Sequence, residues 1–370
     1  MAKYKIAWMP GDGVGNDVME AAKIVLDAIK FDAEYVPADI GWAFWCKEGN
    51  PLPDRTIEIL KSTDCALFGA ITSKPRDEAN HELAPGLKDK GLVYFSPIVK
   101  LRQVFNLHTN LRPCKAYPGN PLNYRDDIDL VVFRENTEGM YGGVEWFPLP
   151  EKVYTAMCDN PKMTKWKDKG LENVALSTRI MSRQGCENIT TQAFEYAKTH
   201  GRKSVTLVEK PNVLRETGGL MTRVAREVAR KYDIPLWEAN IDAICMWMVK
   251  NPQNYDVLVA ENMFGDIISD LCAGLVGGLG FASAANIGDN YAVFEPTHGS
   301  APKYDGMYKV NPMAMLLTVK LMFDWLNEDD LATQLEAAVA KVIKDHKVGT
   351  YDVGLGNTTL EVAQEVARHM

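Results

Sequence analysis

Asp266 and Asp270 stand four residues apart in Glu261-Asn-Met-Phe-Gly-Asp266-Ile-Ile-Ser-Asp270, directly after the apolar run 257–260. On a helix that spacing puts both carboxylates on one face. Like charges there repel, and either a bound divalent cation or a nearby Arg or Lys would relieve them. All-oxygen ligation suits Mg²⁺ or Mn²⁺ rather than zinc. Three arginines lie in apolar or loop settings: Arg102 in Ser96-Pro-Ile-Val-Lys-Leu-Arg102, Arg112 in Asn110-Leu-Arg112-Pro113, and Arg134 after the run 130–133. A guanidinium offers paired donors that match a carboxylate, so the three could hold a di- or tricarboxylate. Any one alone reads more simply as a structural ion pair. Tyr141, in Gly139-Met-Tyr-Gly-Gly143, could donate a proton, and Lys210, after the run 205–208, could act as a base if desolvated or set near cations. A packed Tyr and a surface Lys are the default alternatives.

Two further segments could meet a nucleotide. Pro10-Gly11-Asp12-Gly13-Val14-Gly15 follows the opening apolar segment, where glycines let backbone amides approach a phosphate. A GxGxxG fingerprint needs glycine at 16, where Asn16 stands, so a tight strand-to-helix turn with Asn16 or Asp17 near the N-cap is the simpler reading. The stretch from Glu295 through His298, Gly299, Ser300, Ala301, Lys303 and Tyr304 to Asn311 reads as a loop. Its His and Tyr could stack on an adenine, and its Lys could meet a ribose phosphate. A lone loop His is otherwise structural, and no Cys/His spacing points to zinc.

These residues need a scaffold. Apolar runs at 6–9, 65–70, 130–133, 205–208, 257–260 and 292–294 read as strands. Val18, Ala21, Ala22, Val25, Leu26 and Ile29 mark one helix face, and helical periodicity returns at 181–199 and 220–231. The alternation predicts an α/β architecture with a largely parallel sheet. Residues 114–129 and 147–170 read as loops or excursions, with Lys162, Lys165, Lys167 and Lys169 as solvated surface. No repeat or low-complexity tract interrupts the pattern. A chain of 370 residues allows two to three domains at about 150 residues each. Hydrophobic residues at 46% and charged residues at 24% exclude a wholly disordered chain. Lys and Arg number 41 against 49 Asp and Glu, a net −8 with no basic stripe, which argues against nucleic acid or an anionic membrane as partner. The longest apolar-leaning run, 271–285, is broken by glycines and falls short of the roughly 20 residues a membrane span needs. No charged-then-apolar leader opens the sequence. Seven scattered cysteines without a CxxC suit reduced thiols and a cytoplasmic setting.

Six segments then line up in order: PGDGVG near the start, NLRP at 110–113, FRENTEGMYGG at 133–143, EKPNVL at 209–214, ENMFGDIISD at 261–270 and EPTHGSAPKYDGMYKVNP at 295–312. Over nearly the whole chain this resembles the isocitrate/isopropylmalate dehydrogenase family of β-decarboxylating dehydrogenases. The resemblance implies that family's own α/β fold, two domains around a large sheet and not a standard Rossmann fold. Residues 1–107 and 277–370 would form the large cofactor-binding domain, and 108–276 the small domain with substrate, metal and dimer-interface residues. It implies NAD or NADP, Mg²⁺ or Mn²⁺, and a homodimer with shared active sites. Arg102, Arg112 and Arg134, with Ser96, would bind substrate carboxylates, and Tyr141 would protonate the enolate. Lys210, from the neighbouring subunit, would take part in proton transfer from the C2 hydroxyl. Asp266 and Asp270 would hold the cation together with the partner's Asp242. Thr72 would lie near the nicotinamide, with Glu295, His298, Gly299, Ser300, Ala301, Lys303, Tyr304 and Asn311 at the cofactor.

For the substrate, the isocitrate branch carries a Ser-x-Asn pattern; here Ser96 fits and Ile98 replaces the Asn. The isopropylmalate branch carries a Glu where Phe95 stands, and 96–102 looks closer to some homoisocitrate enzymes. Lys303-Tyr304 with Val310 resembles NADP-type isocitrate enzymes, and FRENTEGMYGGVEW leans the same way. Isocitrate therefore ranks first, followed by homoisocitrate, 3-isopropylmalate and D-malate. A non-catalytic regulatory subunit would have lost one of the Arg, Tyr, Lys or Asp side chains, and none is lost. A dicarboxylate-binding module is the other alternative; it would bind without reducing a nicotinamide.

Overall fold

The computed structural model describes residues 2–370. Its strands are β1 (Tyr4–Gly11), β2 (Ala33–Pro37), β3 (Cys65–Ala70), β4 (Thr109–Lys115), β5 (Asp129–Glu135), β6 (Glu145–Trp146), β7 (Leu176–Ser177), β8 (Val205–Glu209), β9 (Leu236–Asn240), β10 (Val257–Ala260), β11 (Ser283–Ile287) and β12 (Ala292–Pro296). Ten of them form one sheet in the order β2-β1-β3-β12-β11-β4-β5-β10-β8-β9, while β6 and β7 pair separately. The pairs among β2, β1, β3 and β12 are parallel, as are those among β5, β10, β8 and β9. The three central contacts, β12–β11, β11–β4 and β4–β5, are antiparallel. The sheet is thus largely parallel, as expected, with an antiparallel centre. The central strands carry weak signals: β4 holds Arg112 and Pro113, and β11 reads Ser-Ala-Ala-Asn-Ile, neither a β-branched apolar run.

Helices cover both faces. Val14–Ala28, Met313–Trp325, Asp329–Asp345 and Thr359–Ala367 bury their apolar faces against the β1–β3–β12 half. Val18, Ala21, Ala22, Val25 and Leu26 are all buried, as the periodicity requires; each large apolar side chain so removed from water contributes about 1.5–3 kcal/mol. In the other half, Arg183–Thr199 and Thr217–Ala229 pack one face, and Ile241–Lys250 and Asn262–Leu275 the other. Among the described residues no helix is long and apolar enough to cross a membrane. The excursion 147–170 is not all loop: it contains the helix Glu151–Met157 and 3₁₀ turns over Pro161–Lys169, started by a proline at the first position.

The register of the central strands creates the site. Val293, Asn286, Asn110, Arg134 and Ala260 lie side by side across β12, β11, β4, β5 and β10. Side chains alternate along a strand, so Arg112 shares the face of Asn110 while Leu111 turns to the apolar opposite side.

The opening glycine turn fastens two loops. The helix starts earlier than expected: Gly13, at φ 55°, is the cap, which leaves Asn16 and Asp17 inside the first turn. A side chain on Gly13 would collide with the carbonyl of Ser300, which accepts from the Val14 N–H at 2.9 Å. The Asp17 carboxylate accepts from the N–H groups of Gly306 (3.2 Å) and Tyr308 (2.9 Å). The Asp12 carboxylate accepts from those of Trp42 (2.7 Å), Ala43 (3.3 Å) and Thr72 (3.0 Å). Asp12→Ala leaves these donors without their acceptor, and a loss of about 1–3 kcal/mol is expected in urea unfolding, with a smaller loss for Asp12→Asn. An unchanged midpoint would show that Asp12 does not fasten the turn.

Candidate active site

Arg134 lies within β5 rather than beyond it, because the strand continues to Glu135. Its guanidinium therefore rises from the sheet face, fully covered by the helix Asn262–Leu275. That helix can lie so close only because residue 265 is glycine: a Cβ there would stand 2.6 Å and 2.8 Å from Arg134 side-chain carbons. The Arg134 Nε and Nη2 donate to Asn262 Oδ1 at 3.0 and 2.8 Å, and its Nη1 donates to Asp266. Arg112 donates from Nη1 to Ser269 Oγ (2.8 Å) and Asp270 Oδ1 (3.0 Å), and its Nη2 stands 3.4 Å from Asp266 Oδ1. Tyr141 donates to Asp266 Oδ2 at 2.8 Å, with its ring under the Arg134 guanidinium at 5.2 Å. Arg102, on the helix Pro97–Val104, donates from Nε to Asn286 Oδ1 (2.9 Å) and from Nη2 to Glu295 Oε1 (3.1 Å). In this chain the repulsion between Asp266 and Asp270 is thus relieved by arginine.

Burial, and then the neighbouring Arg112 and Arg102 charges, push the Arg134 pKa down; burial does the same to Arg102. A guanidinium does not give up its proton in a protein, so the burial and like charges behind these shifts leave the site in need of anions. Burial, followed by the hydrogen bond and charge of Asp266, pushes Tyr141 up, so it stays protonated near neutral pH. Asp270 is also raised, first by burial, against the pull of Arg112.

Several residues here were not marked by any motif chemistry. Asn286 is fully buried; its Oδ1 accepts from Arg102, from Asn110 Nδ2 (2.7 Å) and from Asn136 Nδ2 (3.0 Å), and its Nδ2 donates to Glu295 Oε1 at 2.7 Å. Asn110 Oδ1 in turn accepts from Arg112 Nε at 2.7 Å. Asn110, Asn136 and Asn262 sit inside the matched segments, where they were passed over for the charged residues beside them. Asn286 lies outside those segments and only the strand register could have found it.

A cavity of about 190 Å³ joins Arg102 and Arg112 to Glu295, His298, Gly299 and the end of β3. Glu295 faces Arg102 and Asn286 there. Thr72 Oγ1 and Ser300 Oγ lie 2.6 Å apart, and the buried His298 Nε2 has no partner. Ala301 adopts a positive φ of 35°. The exposed Lys303 lies 4.7 Å over the Tyr304 ring, and Tyr304, Lys309 and Tyr351 line a further cavity. Hydrogen bonding to Tyr351, then Lys303, pulls the Tyr304 pKa down. Asn311 Oδ1 accepts from the Met313 N–H at 3.0 Å and its Nδ2 donates to Asp352 at 3.0 Å. Ser96 precedes the helix Pro97–Val104 and makes no side-chain cap bond.

Lys210 and Asp242 lie elsewhere. Lys210 follows β8, Asp242 opens the helix Ile241–Lys250, and the two pair with each other, which pulls Asp242 down. Among the described residues no three acidic, His or Cys side chains of this chain gather as a metal cluster.

A sequence profile of the isocitrate/isopropylmalate dehydrogenase family matches residues 5–366. The chain belongs to that family. It is 39% identical over 373 residues to a 3-isopropylmalate dehydrogenase of Methanothermobacter thermautotrophicus, covering 100% of this chain and 99% of that one. It is 40% identical over 370 residues to the protein DlpA of Legionella pneumophila, covering 99% of this chain and 58% of DlpA, so it spans less than two thirds of that relative. The crystal structure of isocitrate dehydrogenase from Methylococcus capsulatus superposes with a TM-score of 0.86 at 36% identity, covering 99% of each chain. The fold is the family's α/β fold, and the chain is an NAD(P)-dependent β-decarboxylating dehydrogenase.

Gly265→Ala tests the close seating of the helix on Arg134. A loss of about 1–3 kcal/mol is expected in thermal unfolding, together with a raised KM for the hydroxy acid. Unchanged stability and KM would show that the helix has room to move.

Proposed function

We propose that this enzyme oxidises a 2-hydroxy acid at C2 and releases a C3 carboxylate as CO₂, with isocitrate to 2-oxoglutarate as the first-ranked reaction. Homoisocitrate and 3-isopropylmalate follow, then D-malate. The observation that carries the reading is the convergence of three buried guanidinium groups on Asp266, Asp270 and Glu295, beside a cavity that opens onto the 295–299 segment. A third carboxylate is favoured by the helix Pro97–Val104, whose uncapped N-terminus offers the Ser96 hydroxyl and free amides.

The chain's own groups fit a divided task. Arg102, Arg112 and Arg134 grip carboxylates and orient C2 and C3. As substrate carboxylates take over the arginines, Asp266 and Asp270 are freed to face a cation. Their all-carboxylate chemistry suits Mg²⁺ or Mn²⁺, which would be held by these two and the partner's Asp242. Bound there, such a cation supplies a Lewis acid for the C2 oxygen and for the charge left when CO₂ departs. The partner's Lys210 accepts the proton of the C2 hydroxyl, and Tyr141 gives its proton to the carbon that loses CO₂. The orphaned buried nitrogen of His298 and the Thr72–Ser300 pair suit a nicotinamide cofactor, which supplies the hydride acceptor. Lys303, Lys309, Tyr304 and Tyr351 favour the extra phosphate of NADP over NAD.

A homodimer would complete the site. Trp237, Met246, Trp247 and Ile267 are exposed apolar side chains, three of them on the helices that carry Asp242 and Asp266. A second copy of this chain would cover them. We also assign the two halves of the sheet to two domains, 1–107 with 277–370 and 108–276. Seven free thiols suit the cytoplasm.

Isocitrate, homoisocitrate, 3-isopropylmalate and D-malate assayed with NAD and NADP should give turnover that EDTA abolishes and Mn²⁺ restores. Chelation-insensitive turnover would overturn the cation assignment, and the winning substrate decides the ranking. Lys303→Met should raise KM for NADP about tenfold or more and leave KM for NAD nearly unchanged; equal effects would remove the phosphate role. Lys210→Met and Tyr141→Phe should each be inactive alone and regain activity when subunits exchange. No recovery in demonstrated heterodimers would overturn the shared site.

A further inference from the structure

The segments that carry Lys210 and the Asp266–Asp270 pair meet at one buried guanidinium. Arg179 follows β7, and its side chain is only 8% exposed. Its Nη2 donates to Glu209 Oε2 at 2.7 Å, its Nη1 to Thr217 Oγ1 at 3.2 Å, and its Nε stands 3.5 Å from Glu261 Oε2. The guanidinium also lies 5.1 Å over the ring of Phe264. Both glutamates are buried at strand ends, and each holds the element that follows it. Glu209 Oε1 accepts from the Lys210 N–H at 2.8 Å. Glu261 Oε1 accepts from the Phe264 N–H at 2.8 Å and so caps the helix that carries Asp266 and Asp270.

The residues just after Arg179 hold a third group. The carbonyl of Ile180 accepts from the Gly139 N–H at 2.8 Å, where the turn bearing Tyr141 begins. The Ser182 N–H donates to Glu138 Oε2 at 2.7 Å, and the Glu138 carbonyl accepts from Asn262 Nδ2 at 3.1 Å. Without the guanidinium, two buried carboxylates would face each other with no counter-charge, which neither element could tolerate in place. Among the described residues neither Arg179 Nε nor Glu261 Oε2 makes a hydrogen bond, so their ion contact at 3.5 Å is what compensates both buried atoms.

We propose that Arg179 is a positioning residue that sets the Lys210 loop and the Asp266–Asp270 helix as one unit. In the dimer read above, Lys210 serves the partner's centre while Asp266 serves its own, so each Arg179 ties two centres together. The inference rests on that reading for the cation at Asp266 and Asp270 and for this last step.

The test uses the full-length dimer with Arg179→Met, and Arg179→Lys as the variant that keeps the charge. Two readouts need no turnover: Mn²⁺ affinity by electron spin resonance titration with isocitrate present and no nicotinamide, and the rate of Lys210 acylation by peptide mapping. Both are expected to change about tenfold or more in Arg179→Met. Arg179→Lys, with one ammonium for two carboxylates, should restore one readout and not the other. A change in only one readout in the Met variant, or in neither, overturns the bridge, as does full restoration of both by Lys. Heterodimers of Arg179→Met with the unaltered chain should fall well below half activity, because each Arg179 supports both centres; activity at one half overturns the coupling. Failure of the shared site itself is read separately, from the Lys210→Met and Tyr141→Phe mixture, and leaves the two local readouts standing.

Discussion

Three guanidinium groups buried together impose the condition that the rest of the site answers. Arg102, Arg112 and Arg134 repel one another and have lost their water, yet none can shed its charge. Anions must therefore be supplied, and in the free chain Asp266 supplies the most. One of its oxygens faces Arg134 and Arg112, and the other accepts from Tyr141. A polycarboxylate ligand satisfies the same demand with better-matched paired contacts. In the proposed function, substrate binding and the release of Asp266 toward a cation would be one exchange, by which a site with three positive side chains could still recruit a positive ion.

Besides the carboxylates that pair with them, the arginines rest on amides, and that choice has a physical reason. Asn110, Asn262 and Asn286 give the guanidinium groups acceptors that fix their planes without cancelling their charge. A buried carboxylate at any of these positions would neutralise an arginine permanently and weaken its hold on a ligand. The antiparallel centre of the sheet makes the arrangement possible. It places Asn286, Asn110 and Arg134 in one row on one face, at the spacing of adjacent strands.

The outer scaffold was legible because it rests on apolar runs and helical periodicity: β3 and β10 fall on the runs 65–70 and 257–260, and the face of Val14–Ala28 is the one its spacing marks. The centre was not. β4 and β11 are held by their neighbours' ladders and by polar side chains, so their own residues carry little strand preference. The glycine turn was read correctly as a tight turn, but its start was misplaced because the conformation and close packing of Gly13 against Ser300 decide it, not a side-chain cap. Among the chemistry-bearing side chains, charge and motif spacing pointed to the arginines, Tyr141 and the aspartates that the fold brings together. Arg179, Asn286 and the two buried glutamates gave no such signal, since their importance lies in what they touch across the sequence.

In the proposed dimer, Lys210 and Asp242 would belong to a divided site that remains quiet in each separate chain. They neutralise one another at the end of β8 and the start of the next helix, with Asp242 largely exposed at 67%. An exposed ion pair adds little to the stability of the fold. Beside it lie Trp237, Met246 and Trp247, apolar surface that water covers unfavourably. Covering that surface with a second copy would desolvate the pair and strengthen every charge interaction around it, since Coulomb energies rise as the local dielectric falls. Burial of the apolar face and activation of the lysine and aspartate would then be a single event, and catalysis would be confined to the assembled dimer by the same hydrophobic contact that forms it.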